Sequence, residues 1–159
     1  MRSITQADQP AVLALNNAHA VELTLLDAAG LAALLSHAAL TLAAGPEGAL
    51  EAFLIAFDHR TPPQGPNHTW FLARHPRFLY VDRVCVLPGA RGRGLARALY
   101  EAAFGYARAQ DLPIVCCEVN TEPPNPGSDA FHAALGFTEV GRRFLADRNK
   151  SVRYLERAP

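Results

Sequence analysis

The stretch that decides the fold is Val84-Cys85-Val86-Leu87-Pro88-Gly89-Ala90-Arg91-Gly92-Arg93-Gly94-Leu95-Ala96. It ends a β-branched, strand-like run and precedes apolar residues at helical spacing, so it predicts a strand, a turn and a helix. The glycines let the backbone bend sharply and approach a ligand. The first helical turn has unpaired N–H groups that bind anions such as phosphate, and Arg91 and Arg93 add positive charge.

This turn matches neither of two common phosphate-binding patterns. It lacks the Lys-Ser/Thr ending of G-x-x-x-x-G-K-[ST], and Arg97 stands at the last glycine position of G-x-G-x-x-G. A plainer interpretation stays open, in which the glycines only satisfy turn geometry and the arginines are solvated. An RNA-binding Arg-Gly segment is disfavoured, because the run occurs once and has no aromatic repeat.

The other elements follow from periodicity and turn residues. The Ala/Leu-rich segment 7–43 predicts helices, the second over about residues 27–39 with Asp27 as its N-cap. Strands are predicted over 49–57, 78–87, 113–119, 137–145 and 150–156, a loop over 58–69, a helix over 95–110, and a short helix from Asp129 to Leu135 after the N-cap Ser128. We therefore expect one mixed α/β sheet, in which the right-handed crossover at 78–119 makes two strands parallel.

Composition places the chain among globular proteins. It has 159 residues, 50% hydrophobic and 19% charged, which excludes an intrinsically disordered chain and predicts a single domain over residues 1–159. Lys and Arg together number 15, as do Asp and Glu, so neither a nucleic-acid partner nor a polybasic membrane contact is expected. Residues 83–108 hold five arginines against Glu101 alone, which indicates a small anionic ligand.

The three cysteines are Cys85, Cys116 and Cys117. An odd count with an adjacent pair argues against a disulfide framework, and no Cys/His spacing suggests zinc, so no metal is expected. The N-terminus has no signal-peptide pattern, and no stretch reaches about 18 apolar residues without a charge. We expect a soluble, cytoplasmic protein with no membrane partner.

Two motifs resemble those of the GCN5-related N-acetyltransferase (GNAT) superfamily. The pattern V-x-P-x-x-R-G-x-G-x-A covers residues 86–96, and Asn125 to Ser128 followed by Phe131 to Phe137 resembles N-x-x-[SA]-x-x-[FL]-[YH]-x-x-L-G-F. The likeness covers residues 78–142 and is greatest to uncharacterised bacterial members. It implies a single mixed, mostly antiparallel sheet with splayed central parallel strands and flanking helices.

The resemblance implies acetyl-CoA as the cosubstrate. The cosubstrate would lie in a gap between strands 80–87 and 113–119, with its pantetheine arm on the backbone of Val84 and Val86 and its pyrophosphate on the N–H groups of residues 91–97. Asn125 and Ser128 fall where the family contacts the CoA arm. The expected cofactor-binding residues are Val84, Cys85, Val86, Arg91, Gly92, Arg93, Gly94, Leu95, Ala96, Arg97, Asn125 and Ser128.

The resemblance also implies acetyl transfer to a primary amine by direct attack. Glu118 and Asp82 are the candidates for the base, because both lie on strands beside the gap; ordered water, or pairing of an acid with Arg83, is the alternative. His132 stands where many family members have a Tyr that protonates the leaving thiolate, although it could simply pack the short helix. A backbone N–H near Val84–Val86 would stabilise the oxyanion. The cysteines are better explained as small buried hydrophobes than as nucleophiles.

The acceptor pocket has two candidate walls. Asn17, His19 and Glu22 form a polar cluster in an Ala/Leu run, and Asn67 and Trp70 lie in or beside the loop after the second strand. Each group has a plainer interpretation, as a solvated or capping helix face and as a mobile surface loop respectively. The acceptor itself, a small-molecule or peptide amine, is not defined by the sequence.

Two further functions stay open at this stage. A non-catalytic acyl-CoA-binding module would share the motifs, and so would an acyltransferase for another acyl group or a hydroxyl acceptor. The last 20 residues could supply an edge strand for a homodimer.

Overall fold

The computed structural model describes residues 1–19 and 23–159. These residues form five α-helices and six β-strands, with short 3-10 turns at Gln6–Asp8 and Pro88–Ala90. In chain order the elements are α1 (Gln9–Asn17), α2 (Ala28–His37), β1 (Leu40–Ala44), β2 (Ala52–Asp58), α3 (Gly65–Leu72), β3 (Leu79–Val86), α4 (Leu95–Ala109), β4 (Val115–Glu122), α5 (Pro126–Ala134), β5 (Thr138–Leu145) and β6 (Lys150–Arg157).

The strands make one sheet in the order β1-β2-β3-β4-β6-β5. Strands β3 and β4 are parallel and the other neighbours are antiparallel, which confirms the mixed, mostly antiparallel sheet. In the described chain the parallel pair is in register only at Leu79–Val115 and Tyr80–Cys116, although β3 continues to Val86 and β4 to Glu122. The two central strands therefore splay beyond Tyr80 and leave a cleft between them.

Helices cover both faces of the sheet. On one face α4 packs Leu99 and Phe104 into the core, because its apolar residues recur at helical spacing. On the other face Val12, Leu31 and Phe71 anchor α1, α2 and α3. Strand β2 is buried along its whole length between these layers, which accounts for its nearly continuous apolar sequence.

Strand β1 follows the second predicted helix, in the part of the Ala/Leu-rich segment 7–43 for which the sequence analysis predicts no strand. Leu40 to Ala44 instead pair with β2, with Leu42 opposite Leu54. Ala and Leu favour helix locally, but this segment gains more by extending the sheet and burying side chains in both core layers. Tertiary pairing therefore overrides the local preference.

Two details of the later helices also differ from expectation. Helix α3 occupies part of the region predicted as a loop, and it begins at Gly65, whose φ is +86°. Helix α5 begins at Pro126, and its N-cap is Asn125, whose Oδ1 accepts the N–H of Ser128 at 3.2 Å. The assignment of Ser128 as N-cap is therefore wrong by three residues.

Other predictions are confirmed. Asp27 caps α2 by accepting the Gly30 N–H at 2.7 Å, and α4 and the two closing strands lie where the sequence predicts them. The C-terminal strand β6 is internal, however, and β5 is the strand at that edge of the sheet. Among the described helices none is long and apolar enough to span a lipid bilayer.

Candidate active site

A cleft of about 480 Å³ opens where β3 and β4 part. That volume lies within the range of small-molecule sites. Both apolar and polar residues line the cleft. Its lining includes Leu23, Val81, Val84, Val86 and Val119 among apolar residues, and Arg91, Asn125 and Ser128 among polar ones.

The turn between β3 and α4 presents open backbone beside this cleft. Gly92 and Gly94 have φ of +74° and +76°, the left-handed region that favours glycine. A Cβ added at either position would meet nothing within 4 Å, so this side of the turn is uncovered. Because α4 begins at Leu95, its first N–H groups have no intrahelical partner and carry the positive end of the helix dipole.

The backbone of β3 also offers hydrogen-bonding groups to the cleft. Leu87 donates its N–H to Glu51 on the β2 side at 2.8 Å. Successive residues of a strand direct their backbone groups to opposite sides, so those of Val84 and Val86 face the side from which β4 has separated. An extended ligand could pair with this unfilled edge as an added strand does.

The structure brings most of the expected cofactor-binding residues to the cleft. Those that line it are Val84, Cys85, Val86, Arg91, Ala96, Asn125 and Ser128. The remaining ones, which form the adjoining turn and first helical turn, are Gly92, Arg93, Gly94, Leu95 and Arg97. The side chain of Arg93 is turned toward β2, where it donates to Glu51 at 2.7 Å.

Glu118 projects from β4 into a hydrogen-bonded cluster. Its Oε2 accepts from the Tyr80 hydroxyl at 2.7 Å, and its Oε1 accepts from Asn67 Nδ2 at 2.8 Å. The Tyr154 hydroxyl in turn donates to Asn67 Oδ1 at 3.1 Å, which fixes the amide. Burial, reinforced by the nearby carboxylate of Asp82, raises the pKa of Glu118 to about 7. A carboxyl group with that pKa can exchange a proton near neutral pH.

Asp82 has a different environment, because it is ion-paired. Its Oδ2 lies 2.8 Å from Arg83 Nε. Arg83 also donates to Asn16 Oδ1 at 2.6 Å and to Thr24 Oγ1 at 2.9 Å, so it fastens the segment after α1 to the sheet. Burial still raises the pKa of Asp82. Since Glu118 is held only by neutral donors, it is the better placed of the two acids to accept a proton.

A second, smaller cavity lies beside the first. Its volume is about 100 Å³, and Leu23, Asp82 and Glu118 line both cavities. Glu118 therefore stands at the junction of a long cleft and a compact pocket. The other residues around the pocket are Thr24, Leu34, Phe57, Gln64, Pro66, Asn67, Tyr80, Arg83 and Arg148.

His132 also lines the long cleft and is 3% exposed. Its Nδ1 is 2.7 Å from the carbonyl oxygen of Ser128, so we assign the ring hydrogen to Nδ1. Its Nε2 then accepts from the Tyr100 hydroxyl at 2.8 Å. Burial lowers the pKa of His132, which favours the neutral ring in the resting protein. Tyr100 and His132 thus form a buried pair at the cleft.

The expected acceptor residues have mixed positions. Asn67 lines the small pocket and His19 lines the long cleft. Asn17 instead bonds the backbone of Leu26 through both ends of its amide, at 2.8 and 3.0 Å, and so secures the loop before α2. Trp70 stacks on Tyr154 with ring centroids 4.1 Å apart, outside the lining of both described cavities. Glu22 lies outside the described residues.

Three site residues escape the sequence analysis. Tyr80 precedes Asp82 by two positions, so strand alternation could have placed both on one face. Tyr100 falls on the apolar face of α4 and resembles any core residue there. Arg148 lies in the turn between β5 and β6, and no local pattern connects it with a pocket. Among the described residues no group of three His, Cys, Asp or Glu side chains could hold a metal ion.

Comparison with known proteins identifies the family. Residues 36–137 match the model of the Acetyltransferase (GNAT) family. The match covers well over half of the chain, which therefore belongs to this family. Over 67 residues the chain is also 39% identical to phosphinothricin N-acetyltransferase of Streptomyces coelicolor, a match that spans only 38% of the chain and 38% of that relative.

Solved structures share the whole fold. Ribosomal-protein-alanine N-acetyltransferase of Brucella melitensis is 24% identical with a TM-score of 0.74, over 99% of this chain and 98% of that one. The Escherichia coli ribosomal-protein-S18-alanine N-acetyltransferase is 18% identical with a TM-score of 0.72, over 99% of this chain and 91% of that one. The yncA protein of Salmonella typhimurium, solved with its cofactor acetyl-CoA, is 19% identical with a TM-score of 0.69, over 99% of this chain and 91% of that one. The family uses acetyl-CoA, so acyl transfer is the general class of reaction.

Proposed function

We propose that residues 1–159 form a single-domain N-acetyltransferase that moves the acetyl group of acetyl-CoA directly to a primary amine. The observation that carries this proposal is the position of Glu118, a half-buried carboxyl group with a pKa of about 7 between a long cleft and a compact pocket. A base at such a junction can take a proton from an amine in the pocket that faces a second substrate in the cleft.

The residues of the long cleft fit acetyl-CoA. The unfilled edge of β3 at Val84 and Val86 suits an extended pantetheine arm, and the open turn at Gly92 and Gly94 suits its pyrophosphate. Arg91 borders the same end of the cleft. When bound, acetyl-CoA supplies an acetyl group activated as a thioester.

Glu118 would deprotonate the incoming ammonium group. Its pKa of about 7 leaves a substantial ionised fraction at neutral pH, while the basicity remains higher than that of an ordinary carboxylate. Tyr80 and Asn67 hold both carboxylate oxygens in position. Burial raises the pKa of Tyr80 well above its usual value, so this residue stays a hydroxyl donor. Asp82 is the second candidate base.

His132 and Tyr100 would return a proton to the departing sulfur. In the resting pair the Tyr100 hydroxyl donates to Nε2 of a neutral His132. The proton is supplied by solvent: once a solvent proton binds Nε2, it can pass to the Tyr100 oxygen while the hydroxyl gives its own proton to the sulfur. The pair is then back in its resting arrangement, so no side chain is consumed.

Location and assembly remain parts of the proposal. Cys85, Cys116 and Cys117 are buried and form no disulfide within the described chain, in keeping with a reducing, cytoplasmic compartment. The edge strand β5 is the candidate surface for a homodimer. A small-molecule or peptide amine is the proposed acceptor. Phosphinothricin, for which the Streptomyces coelicolor relative is named, belongs in any first panel of acceptors.

The first test measures acetyl-CoA binding by calorimetry and amine-dependent release of free thiol. We expect wild-type protein to bind acetyl-CoA, and Arg91→Glu to weaken binding by about tenfold or more, since a charge-assisted contact contributes roughly 1.5–3 kcal/mol. Arg108→Glu is the matched control, because Arg108 is exposed near the other end of α4 and should leave the affinity unchanged.

Each outcome separates the competing functions. Equal affinity of the Arg91→Glu and wild-type proteins would show that the turn is not the CoA site. Binding without thiol release for any amine would identify an acyl-CoA-binding module instead of an enzyme. Thiol release that Glu118→Gln leaves unchanged would remove Glu118 as the base.

A further inference from the structure

Arg148 closes the side of the small pocket formed by the start of α3. It belongs to the turn between β5 and β6 and lines the pocket together with Gln64 and Pro66. A Cβ built on Gly65 would lie 3.7 Å from Arg148 Nη2, which places the guanidinium over the first turn of that helix. A cation from a distant hairpin therefore borders the same pocket as Glu118.

Four charged residues line this pocket, and two of them neutralise each other. Asp82 and Arg83 form an ion pair at 2.8 Å, with side chains only 14% and 8% exposed. Glu118 is bonded to neutral donors, as described above. The one ion pair of Arg148 in the described chain is with Asp147, at 3.7 Å and with that acid 69% exposed. Such an exposed, long pair is weak.

Arg148 also acts on Asp82 through space, which lowers the pKa of that acid, but among the described residues no ion pair joins the two. Glu118 and Arg148 are therefore the carboxyl group and the guanidinium of this pocket that are open to an ionic contact with a ligand. A ligand that satisfies both must carry a cation and an anion in the same small molecule. The pocket holds about 100 Å³, so it suits only a small acceptor. Leu34 and Phe57 add an apolar wall, which leaves space for a short aliphatic group.

We propose that the acceptor is a small free amino acid, with its amine at Glu118 and its carboxylate on Arg148. This inference rests on the proposed function and names the substrate class of that site. Arginine suits the role because its planar fork can donate two parallel hydrogen bonds to a carboxylate. An amine that lacks a carboxylate forms no ion pair with Arg148, and a peptide N-terminus places an amide where the carboxylate should be.

The experiment compares matched acceptors at saturating acetyl-CoA. The probes are the standard L-amino acids and β-alanine, each paired with its carboxamide, and alanyl peptides; thiol release gives kcat and KM, and calorimetry on the protein with CoA gives binding. We expect at least one free amino acid to exceed its amide in kcat/KM by about tenfold or more, since one charge-assisted pair is worth roughly 1.5–3 kcal/mol.

Arg148→Gln should raise KM for that amino acid by about tenfold and leave KM for its amide unchanged. The matched control is Arg142→Gln, since Arg142 belongs to the same hairpin but is 67% exposed and pairs with Glu139. In the control variant, KM for the amino acid and KM for its amide should both stay as in the wild type. Retained acetyl-CoA affinity in Arg148→Gln shows that the variant is folded.

Other outcomes overturn the inference in distinguishable ways. The substrate class is wrong if amides or peptides have the same kcat/KM as free amino acids, or if Arg148→Gln lowers kcat/KM equally for the amino acid and its amide. The acetyltransferase proposal then still stands. If other amines release thiol but no amino acid does, the same holds. If acetyl-CoA binds and no amine releases thiol, the proposed function fails together with the inference.

Discussion

Glu118 shows how one residue can be costly for the fold and useful for the site. Burial and the neighbouring Asp82 disfavour its charge, and Tyr80 and Asn67 recover only part of that cost through hydrogen bonds. The result is a pKa of about 7 instead of the usual value near 4.3. Perturbation of this kind is typical of catalytic groups, and it has a consequence for stability.

Replacing Glu118 with Gln should stabilise the protein more at pH 8 than at pH 5. The raised pKa means that the unfolded chain ionises Glu118 at lower pH than the folded chain does, so the wild type loses stability between about pH 4.3 and 7. Gln has no charge to lose or gain. We expect the advantage of Glu118→Gln in the free energy of unfolding to grow by about 2 kcal/mol from pH 5 to pH 8.

Urea unfolding at the two pH values measures this difference. Glu122→Gln is the control, since Glu122 ends the same strand but is exposed, and it reports the effect of the same substitution away from the pocket. A constant or shrinking advantage for Glu118→Gln would mean that the fold does not raise the pKa of Glu118.

At the scale of elements, one contact fixes how β5 meets α3. A Cβ added at Gly141 would lie 2.6 Å from Trp70 Cζ2 and 3.1 Å from Cη2. The register of β5 against β6 also shifts between Glu139 and Gly141, as at a β-bulge. The indole therefore packs this closely against the strand only because residue 141 has no side chain. This explains the place of Trp70, which the sequence analysis assigns to the acceptor site.

Gly141→Ala should destabilise the protein by about 1–3 kcal/mol, as overpacking of a filled contact usually does. The cost should fall by about 1 kcal/mol or more when Trp70 is first changed to Phe, because the smaller ring lacks the clashing atoms. Gly105→Ala is the control, since its new Cβ would meet only Arg108 Nη2 at 3.9 Å within helix α4. Urea unfolding of the wild type, the two single variants and the double variant measures these free energies. If Gly141→Ala lowers the free energy of unfolding equally with Trp70 and with Phe at position 70, this contact is excluded as the cause.

The sequence predicts the elements that carry their own local signal. The strand, turn and helix around Arg91 are contiguous in sequence. Their residue types therefore predict both the local backbone structure and an anion-binding turn. Strand β1 and helix α3 escape prediction, because the first is made of helix-forming Ala and Leu and the second starts in a Gly/Pro loop. The small pocket could not be predicted at all as a unit, since Asn67, Glu118 and Arg148 meet only through tertiary folding.

At the scale of the whole molecule, the sheet is two halves joined narrowly. Strands β1, β2 and β3 form one half and β4, β6 and β5 the other. Within the described residues, β3 and β4 share register only at two positions near Tyr80. Helix α4 shares one core cluster with Leu54 of β2 and Val115 of β4, and the Tyr80–Glu118 hydrogen bond is a second bridge between the halves. Residues that cross the junction thus shape both fold and site.

Acetyl-CoA in the cleft should act as a third bridge, and amide hydrogen exchange can detect it. The N–H groups of Val84 and Val86 face the unfilled side of β3, so a bound pantetheine arm would protect them from exchange. We expect their exchange to slow by about tenfold or more at saturating acetyl-CoA, whereas amides at the centre of β2, already paired on both sides, should change less.

The Arg91→Glu protein provides the control for this measurement. At the same acetyl-CoA concentration its β3 amides should exchange as they do without ligand, because the weakened site is mostly empty. Protection confined to the turn at residues 88–97, with Val84 and Val86 unaffected in the wild type, would place the ligand outside the gap between the halves. Protection of the β3 amides in the wild type, without such protection in Arg91→Glu, would show instead that acetyl-CoA binds along the edge of β3 from which β4 has separated.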